Sequence, residues 1–574
     1  QYYDFSFIEF MINHLSCIET MAFKTDPTNA PNISCGIISI SLLLLFIFNK
    51  DIKIKTKITY ISILIIISLA FFIPQFDFIM HALHVPNDLP YRYSFLYSFI
   101  LMIICSYSIK NIKGLNPIIV IVSYLLPVIF LLVIKMCNLG NVDGKVLLVN
   151  LVLITLYFIL YLIYYYDKKT SKYLKYALIL IASVEIICNI NFNWIHTDDI
   201  NDMYEYYDLI KETVKKLDKV EENNFYRLEK TFSTTLNDTS WYNYNGITTF
   251  SSMEYERMAM LHHNLGINGN LINSYEFFLN TPVYNIMFDL KYLLGYIYDK
   301  DNYELIYEND KFNTYKFKYN TNLLYSVNND IKDYKLENNN PILNQNNFVY
   351  LSTGIDNIFD KLNYKNKKII DVTDGLSLME YTYKNNYINN YFYNNCDAEF
   401  YIINDTIYYK NDEILKYISP EYYSSTNQLD ENMLINFISD NDEFKILIGT
   451  YYNENDIEVY SINSNKFNEA NNVLMQDKVK IEIFKDTYIK ANVNNKSNNT
   501  IYTSIPYDDE IKVYVDGKKV NTFMIADALL GFDIASGKHV IEIKYKNNLM
   551  LIGSVISLST LVVIIIIQLK RKCI

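Results

Sequence analysis

The sequence predicts a polytopic α-helical membrane protein with a large extracytoplasmic β-rich (β-sandwich-like) α+β domain before a final transmembrane helix. Three observations predict it. Hydrophobic residues make up 51% of the 574 residues, but they crowd into residues 33–191 and again into 549–568, the pattern of membrane spans around a soluble part. Lysines collect in alternate connections between the apolar runs. From Phe225 onward, short alternating runs rich in tyrosine replace the long apolar ones, which is the period of half-buried strands.

Residues 1–33 are mixed and polar, with Pro27, Pro31 and Asn32 near their end. Six apolar runs follow: Ile33–Phe48, Ile58–Ile73, Tyr93–Ser106, Pro117–Ile134, Val146–Tyr165 and Tyr176–Ile190. They place about six spans in residues 1–191, the first of them short and starting in the interface. A seventh run, Leu549–Leu569, leads into Lys570, Arg571 and Lys572, so residues 549–574 read as a final transmembrane helix with a basic tail. The chain opens at Gln1 without a basic leader and reads as the C-terminal portion of a longer protein.

Orientation follows from the lysines. Loops 49–57, 109–115, 167–175 and the tail 570–574 are basic, so the positive-inside rule assigns them to the cytoplasm. Alternation then sends residues 74–92, 137–145 and the whole of 192–548 outside.

In that outer domain Met203, Tyr206, Leu209, Ile210, Val214 and Leu217 recur at helical spacing, which predicts an amphipathic helix over Asp202–Leu217. The runs YLLGYIY, TYKFKY, KILIGTYY, DIEVYSI, KIEIFKD and YIKANV then predict strands. Asp516-Gly517 and Gly537-Lys538 predict turns between the last strands. The Asn-rich segments 335–347 and 383–396 read as loops.

Composition excludes several classes. A net charge of -12 argues against nucleic-acid binding, which needs a basic surface. The seven cysteines are scattered without a CxxC pair, so neither a zinc site nor a disulfide framework is supported. The GxGxxG, GxxxxGK[ST], HExxH and GxSxG patterns are absent, which removes soluble nucleotide chemistry and the common hydrolase motifs.

One polar stretch between two spans stands out. Pro74–Arg92 holds Asp77, His81, His84, Asn87, Asp88 and Arg92, with two of the seven histidines and one of only four arginines. In a chain that uses lysine for almost all positive charge, an arginine points to a planar two-point donor for an anion at the membrane surface. The competing reading is that Arg92 snorkels while the histidines satisfy loop backbone groups. A third is metal, because Asp77, His81 and His84 fall at i, i+4 and i+7 and share a face if the segment is helical. Further on, Arg227 and Glu229 share one face of a strand, as an internal ion pair or as a sugar contact. Trp241, Tyr242, Tyr244 and Asn245 form either an aromatic platform for a sugar ring or part of the core.

Three stretches carry a family resemblance: HALHVPNDLPYRYSFLYSF; NNFYRLEKTFSTTLND with NYNGITTFSS and DLKYLLGY; and IPYDDEIKVYVDGKKV through GKHVIEIKY to GSVISL. They resemble the bacterial YfhO-type membrane protein family, whose members have the multi-span GT-C architecture of lipid-linked-sugar glycosyltransferases. The resemblance covers the chain from about residue 31 to its end and implies a GT-C-like fold. It implies transfer of a sugar from a polyprenyl-phosphate donor to a teichoic-acid-like cell-envelope glycopolymer, outside the membrane. The substrate-binding residues are then Asp77, His81, His84, Asn87, Arg92, Arg227 and Glu229, and the catalytic base is expected upstream of Gln1. No cofactor is predicted; a divalent metal has no support in the sequence. The implied partners are the lipid-linked sugar, the polymer, the bilayer, and a donor-synthesising glycosyltransferase with its flippase. The alternatives are a non-enzymatic, membrane-anchored glycopolymer-binding accessory protein and a lipid-carrier flippase; Glu185 is almost the only charge within the spans, which speaks against a transporter.

The orientation is checked by cysteine labelling with an impermeant reagent in intact cells. A cysteine introduced at Asn340 is expected to react, and one placed after Lys572 is expected to stay protected. The opposite pattern overturns the assignment.

Overall fold

Each of the seven apolar runs forms a helix. The computed structural model describes residues 5–18, 30–85, 90–112, 115–166, 171–193, 204–222, 224–232, 234–277, 280–295, 301–319, 322–373, 376–385, 389–394, 399–403, 406–410, 434–438, 442–449, 457–477 and 479–572. The chain divides into two units, Gln1–Asp198 and Asp199–Ile574.

The first unit is helical. A short α1 (Phe7–Ile12) opens with a capping box between Ser6 and Glu9, which satisfies two otherwise orphaned N–H groups. Then come α2 (Ile38–Phe48), α3 (Ile54–Phe72), α4 (Pro74–Met80), α5 (Ser94–Lys110), α6 (Pro117–Cys137), α7 (Gly144–Tyr166) and α8 (Ser171–Phe192). Among the described residues α3, α6, α7, α8 and the last helix of the chain are long and apolar enough to cross a membrane; α2 and α5 are apolar but shorter. Asn116 accepts from Ile118 N and Pro117 occupies the first turn of α6, a start signal in which the missing proline N–H costs nothing. The helix α2 packs on α5 and α6, α3 on α5, α6 on α7 and α7 on α8. Their other faces expose Ile65, Ile66, Phe99, Leu125 and Ile129, as lipid-facing surfaces do.

The first apolar run is shorter as a helix than as a sequence. Residues 33–37 are not helical; Gly36 has φ +85°, a backbone region that costs glycine nothing. There the chain meets Glu185 of α8, which is 4% exposed. Ile37 N donates to Glu185 Oε1 at 2.7 Å, Tyr157 OH donates to Oε2 at 2.6 Å, and Ser16 Oγ donates to Oε1. Asn150 exchanges two 2.8 Å hydrogen bonds with the backbone of Ser16, and Asn189 Oδ1 accepts from Cys17 N at 2.8 Å. Polar groups on α7 and α8 thus hold the non-helical segments 15–17 and 36–37, whose backbone would otherwise be unsatisfied in an apolar layer.

The second unit is β-rich with helices, and a two-layer sandwich forms around its C-terminal strands. A five-stranded sheet (Lys480–Lys485, Tyr488–Asn495, Gly537–Tyr545, Ile511–Val515, Lys518–Lys519) shares one core with a four-stranded sheet (Thr522–Ile525, Leu529–Ile534, Asn499–Pro506, Leu324–Val327). Val493, Ile501, Val513, Phe532 and Ile541 fill it. Asp516 and Gly517 have φ of 51° and 76°, the positive values of the tight hairpin that the Asp-Gly pair predicts. Gly537 instead starts a strand that belongs to the other sheet, so it joins the two layers.

Residues 359–462 add a five-stranded and a four-stranded sheet, and the first part of the unit is built on a parallel strand pair. Strand Arg227–Lys230 lies parallel to Leu290–Gly295 in a four-stranded sheet, and the crossover between them carries helices Glu256–Asn264 and Pro282–Met287. The helix Tyr207–Val220 buries Ile210, Val214 and Leu217 against Leu228, Tyr292 and Phe312, a register shifted from the predicted 202–217. Two expected loops are regular elements. Pro341–Thr353 is a helix with Asn340 as cap and Gly354 (φ 82°) as stop, and Asn389–Asn394 is a strand. Asn344 and Gln345 are fully buried, so tertiary hydrogen bonds override the loop preference of asparagine. The last helix, Asn548–Lys572, keeps its apolar residues exposed along its length.

Replacing Glu185 by alanine strands the buried hydroxyls of Ser16 and Tyr157 and leaves Ile37 N with only its longer bond to Ser16 Oγ. At about 1–3 kcal/mol for each orphaned group, Glu185→Ala is expected to cost about 3 kcal/mol or more. The unfolding midpoint of the full chain in detergent checks this, and an unchanged midpoint contradicts it.

Candidate functional site

The polar stretch between α3 and α5 is partly helical. Pro74 starts α4 and its fixed φ suits that position. Asp77 and His81, one turn apart, lie together: His81 Nδ1 is 3.3 Å from Asp77 Oδ1 and 3.0 Å from the Asp77 carbonyl. The Tyr93 hydroxyl lies 2.8 Å from Asp77 Oδ1 and from the Ala70 carbonyl. The other ring nitrogen of His81, Nε2, is buried without a partner.

His84 does not join them. The helix ends at Met80, and Ala82 and Leu83 take φ of 58° and 63°, so the shared face at i, i+4 and i+7 is not formed. His84 and Arg92 are both exposed. Asn87 and Asp88 lie outside the described residues. Among the described residues no three metal-ligating side chains come together.

In the β-rich unit, Arg227 and Glu229 sit on one strand but make no ion pair with each other. Each finds other partners, in a strand pair whose register slips at Lys291, with Arg227 opposite Leu290 and Leu228 opposite Tyr292. Arg227 Nη1 donates to Phe288 O at 2.5 Å and to Ser504 Oγ at 2.6 Å, and Nη2 donates to Ser504 O at 3.1 Å. The guanidinium lies over the Phe225 ring at 5.0 Å. Glu229 Oε1 accepts from Ile247 N and, at 2.7 Å, from Thr248 N; Oε2 accepts from Thr248 Oγ1 at 3.1 Å. Burial pushes the Glu229 carboxyl up to about 7, against the pull of these donors.

Arg227 lines a cavity of about 370 Å³ with Tyr244, Gly246, Thr248, Glu254, His262, Tyr275 and Ser504 among its walls. That is the size of a small-molecule site. The exposed Asn245 and the buried His262 both line it, so it runs from the surface inward. His262 stacks on Tyr275 with ring centroids 4.1 Å apart and holds the Tyr284 hydroxyl 2.7 Å from Nδ1. Burial, helped by the Arg227 charge, pulls its imidazole down to about 3, which keeps the ring neutral near pH 7. Tyr275 donates to Glu254 at 3.2 Å.

A family model for the bacterial membrane protein YfhO matches residues 2–557. The chain belongs to the YfhO family. No curated protein and no solved structure matches it.

In this YfhO-family chain, separate stretches that carry the resemblance meet at the cavity. NNFYRLEK supplies Phe225 and Arg227, NYNGITTF supplies Tyr244 to Thr249, IPYDDEIK supplies Pro506, and DLKYLLGY is the strand paired with Arg227. Trp241 and Tyr242 are not a platform: Tyr242 is buried and Trp241 packs on Tyr204 and Tyr207. His262, Glu254, Tyr275 and Ser504 escaped sequence reasoning. The one available signal was the His262-His263 pair in a histidine-poor chain.

Gly246 cannot bear a side chain here. A Cβ would stand 2.5 Å from Thr239 Cγ2 and 2.8 Å from Glu229 Oε1, so Gly246→Ala is expected to destabilise the unit by about 1–3 kcal/mol. Trp241 fluorescence during unfolding, in a Trp194→Phe background, reads it; an unchanged midpoint contradicts the geometry. The same probe tests Glu229. Its folded carboxyl titrates near 7 and the unfolded one near its ordinary value of 4.5. Between those values the unfolded state releases a proton that the folded state keeps, so the group's contribution to stability falls as pH rises. Glu229→Gln is expected to flatten that fall, and an unaltered pH profile contradicts it.

Proposed function

We propose that the chain is a membrane glycosyltransferase that moves a sugar from a polyprenyl-phosphate donor to a teichoic-acid-like cell-envelope glycopolymer on the outer face of the membrane. Family membership supports a membrane transferase. The observation that carries the donor site is the connection between α3 and α5, where exposed Arg92 adjoins the Asp77–His81–Tyr93 cluster in sequence and through Tyr93. The lysines Lys50, Lys53, Lys55 and Lys57 around the start of α3 favour the opposite, outer side for this connection.

In the reaction an acceptor hydroxyl oxygen bonds to the anomeric carbon while the bond from that carbon to the phosphate oxygen breaks. The electron pair leaves with polyprenyl phosphate, and the hydroxyl proton passes to a base. Arg92 receives the departing phosphate with two parallel charge-assisted bonds. His81, oriented by Asp77, offers Nε2 as a proton carrier when the cluster opens. The cavity around Arg227, which needs only to bind, favours as second reading a glycopolymer-binding accessory role.

Arg92→Lys separates these. Lysine keeps the charge and the stem but not the planar fork, and loss of a charge-assisted phosphate contact is worth about 1.5–3 kcal/mol, roughly ten- to a hundredfold. Transfer measured in membranes at equal protein level is expected to fall by that factor; undiminished transfer leaves Arg92 as an interfacial anchor and removes the donor site.

A further inference from the structure

The cavity in the β-rich unit contains a cation whose partners are incomplete. Ser504 accepts from both Nη1 and Nη2 of Arg227, so it occupies the end of the guanidinium, and the Phe288 carbonyl takes the remaining Nη1 hydrogen. Among the described residues nothing accepts from Nε, and the Nε–Nη2 edge is open. Among the described residues no carboxylate lies within ion-pair distance of the group: Glu229 is tied to the 247–248 backbone, and Asp289 acts on Arg227 only over a longer distance. A buried guanidinium held by neutral acceptors alone is costly. Its open edge has the two parallel donors that fit a carboxylate or phosphate.

The rest of the wall suits hydroxyl groups. Among the described residues His262 Nε2 has no hydrogen-bond partner, its Nδ1 being engaged with Tyr284. Tyr244, another wall residue, is 8% exposed and its hydroxyl has no partner. The Glu254 carboxylate lines the cavity and, among the described residues, only Tyr275 donates to it; it opposes a bare anion but accepts well from a sugar hydroxyl. The aromatic side chains of Phe225, Tyr275 and Phe288 complete the lining. A cation edge, a carboxylate acceptor and unpaired hydroxyl and ring-nitrogen groups in one cavity call for a ligand with a charged end and a polyol body.

We propose that this cavity binds a sugar-sized polyol bearing one oxyanion, with the oxyanion on the Nε–Nη2 edge of Arg227 and hydroxyls on Glu254 and His262. This deepens the transferase reading by adding a recognition site for an anionic sugar unit, but it stands on the cavity alone. Binding is therefore read without turnover, and failure of Arg92-dependent transfer leaves it intact.

The test uses the full chain in neutral detergent, titrated calorimetrically with glucose 6-phosphate, glucuronate, glucose and inorganic phosphate. The two anionic sugars are expected to bind saturably, at least about tenfold tighter than glucose and tighter than phosphate. Arg227→Gln is expected to remove that preference, and Glu254→Gln to keep it. Because Arg227→Gln also frees the Phe288 carbonyl, Thr249→Trp, which fills the cavity with Arg227 intact, provides the independent variant and is expected to abolish binding. Displacement of glucose 6-phosphate by a polyprenyl-phosphate sugar assigns the anion to the lipid-linked donor, and failure to displace assigns it to the polymer. Equal affinity for glucose, no saturable binding of either anionic sugar, or full binding by folded Thr249→Trp overturns the proposal.

Discussion

A charge removed from water must be given partners, and in both units that requirement decides where the chain goes. In the helical unit the charge is Glu185. Its three donors come from three places: Ser16 before the first membrane helix, Ile37 at the turn into α2, and Tyr157 on α7. One carboxylate on α8 therefore fixes the entry of the chain into the helices. The turn into α2 favours glycine at residue 36, because its φ of +85° strains other residues and a Cβ would also press on the carboxylate at 3.0 Å. In the β-rich unit the charge is Arg227, which draws together the strand that bears it, the carbonyl that ends helix Pro282–Met287 and Ser504 of the C-terminal sandwich.

The two cases differ in what is left over. Glu185 is closed: its donors fill it, and Asn150 and Asn189 complete the lock on the neighbouring backbone. Arg227 is open, because its acceptors occupy one end of a planar group and leave an edge toward a cavity. Full satisfaction makes the first a structural clamp. Incomplete satisfaction makes the second a candidate for ligand binding, and His262 and Glu254 give that ligand more than charge to meet.

The helices were legible because apolar runs of near-span length leave few other options, and α3, α6, α7 and the last helix fall where hydropathy puts them. The amphipathic helix at Tyr207–Val220 was legible by its period, with its boundaries displaced by about a turn. The helix at Pro341–Thr353 was misread as a loop, although its signals, Asn340-Pro341 and Gly354, were present; asparagine content outweighed them. For the site, Arg227 and Glu229 stood out as charges on an alternating strand, and the structure puts both beside the cavity. Their expected mutual ion pair fails because each finds nearer partners among segments brought in by parallel pairing. That pairing joins residues about sixty positions apart and has no local signature. His262 was hidden for the same reason: in MAMLHHN it reads as a core helix, and only the fold turns its ring toward Arg227.

The proposed reaction is transfer of a sugar from a lipid phosphate. The most direct measurement places the full-length protein in liposomes with a polyprenyl-phosphate sugar labelled on the sugar, adds the glycopolymer, and separates lipid from polymer over time. Label is expected to move to the polymer while unlabelled polyprenyl phosphate accumulates in equal amount. Label that stays on the lipid while the protein binds the polymer would contradict it and leave a binding protein in its place.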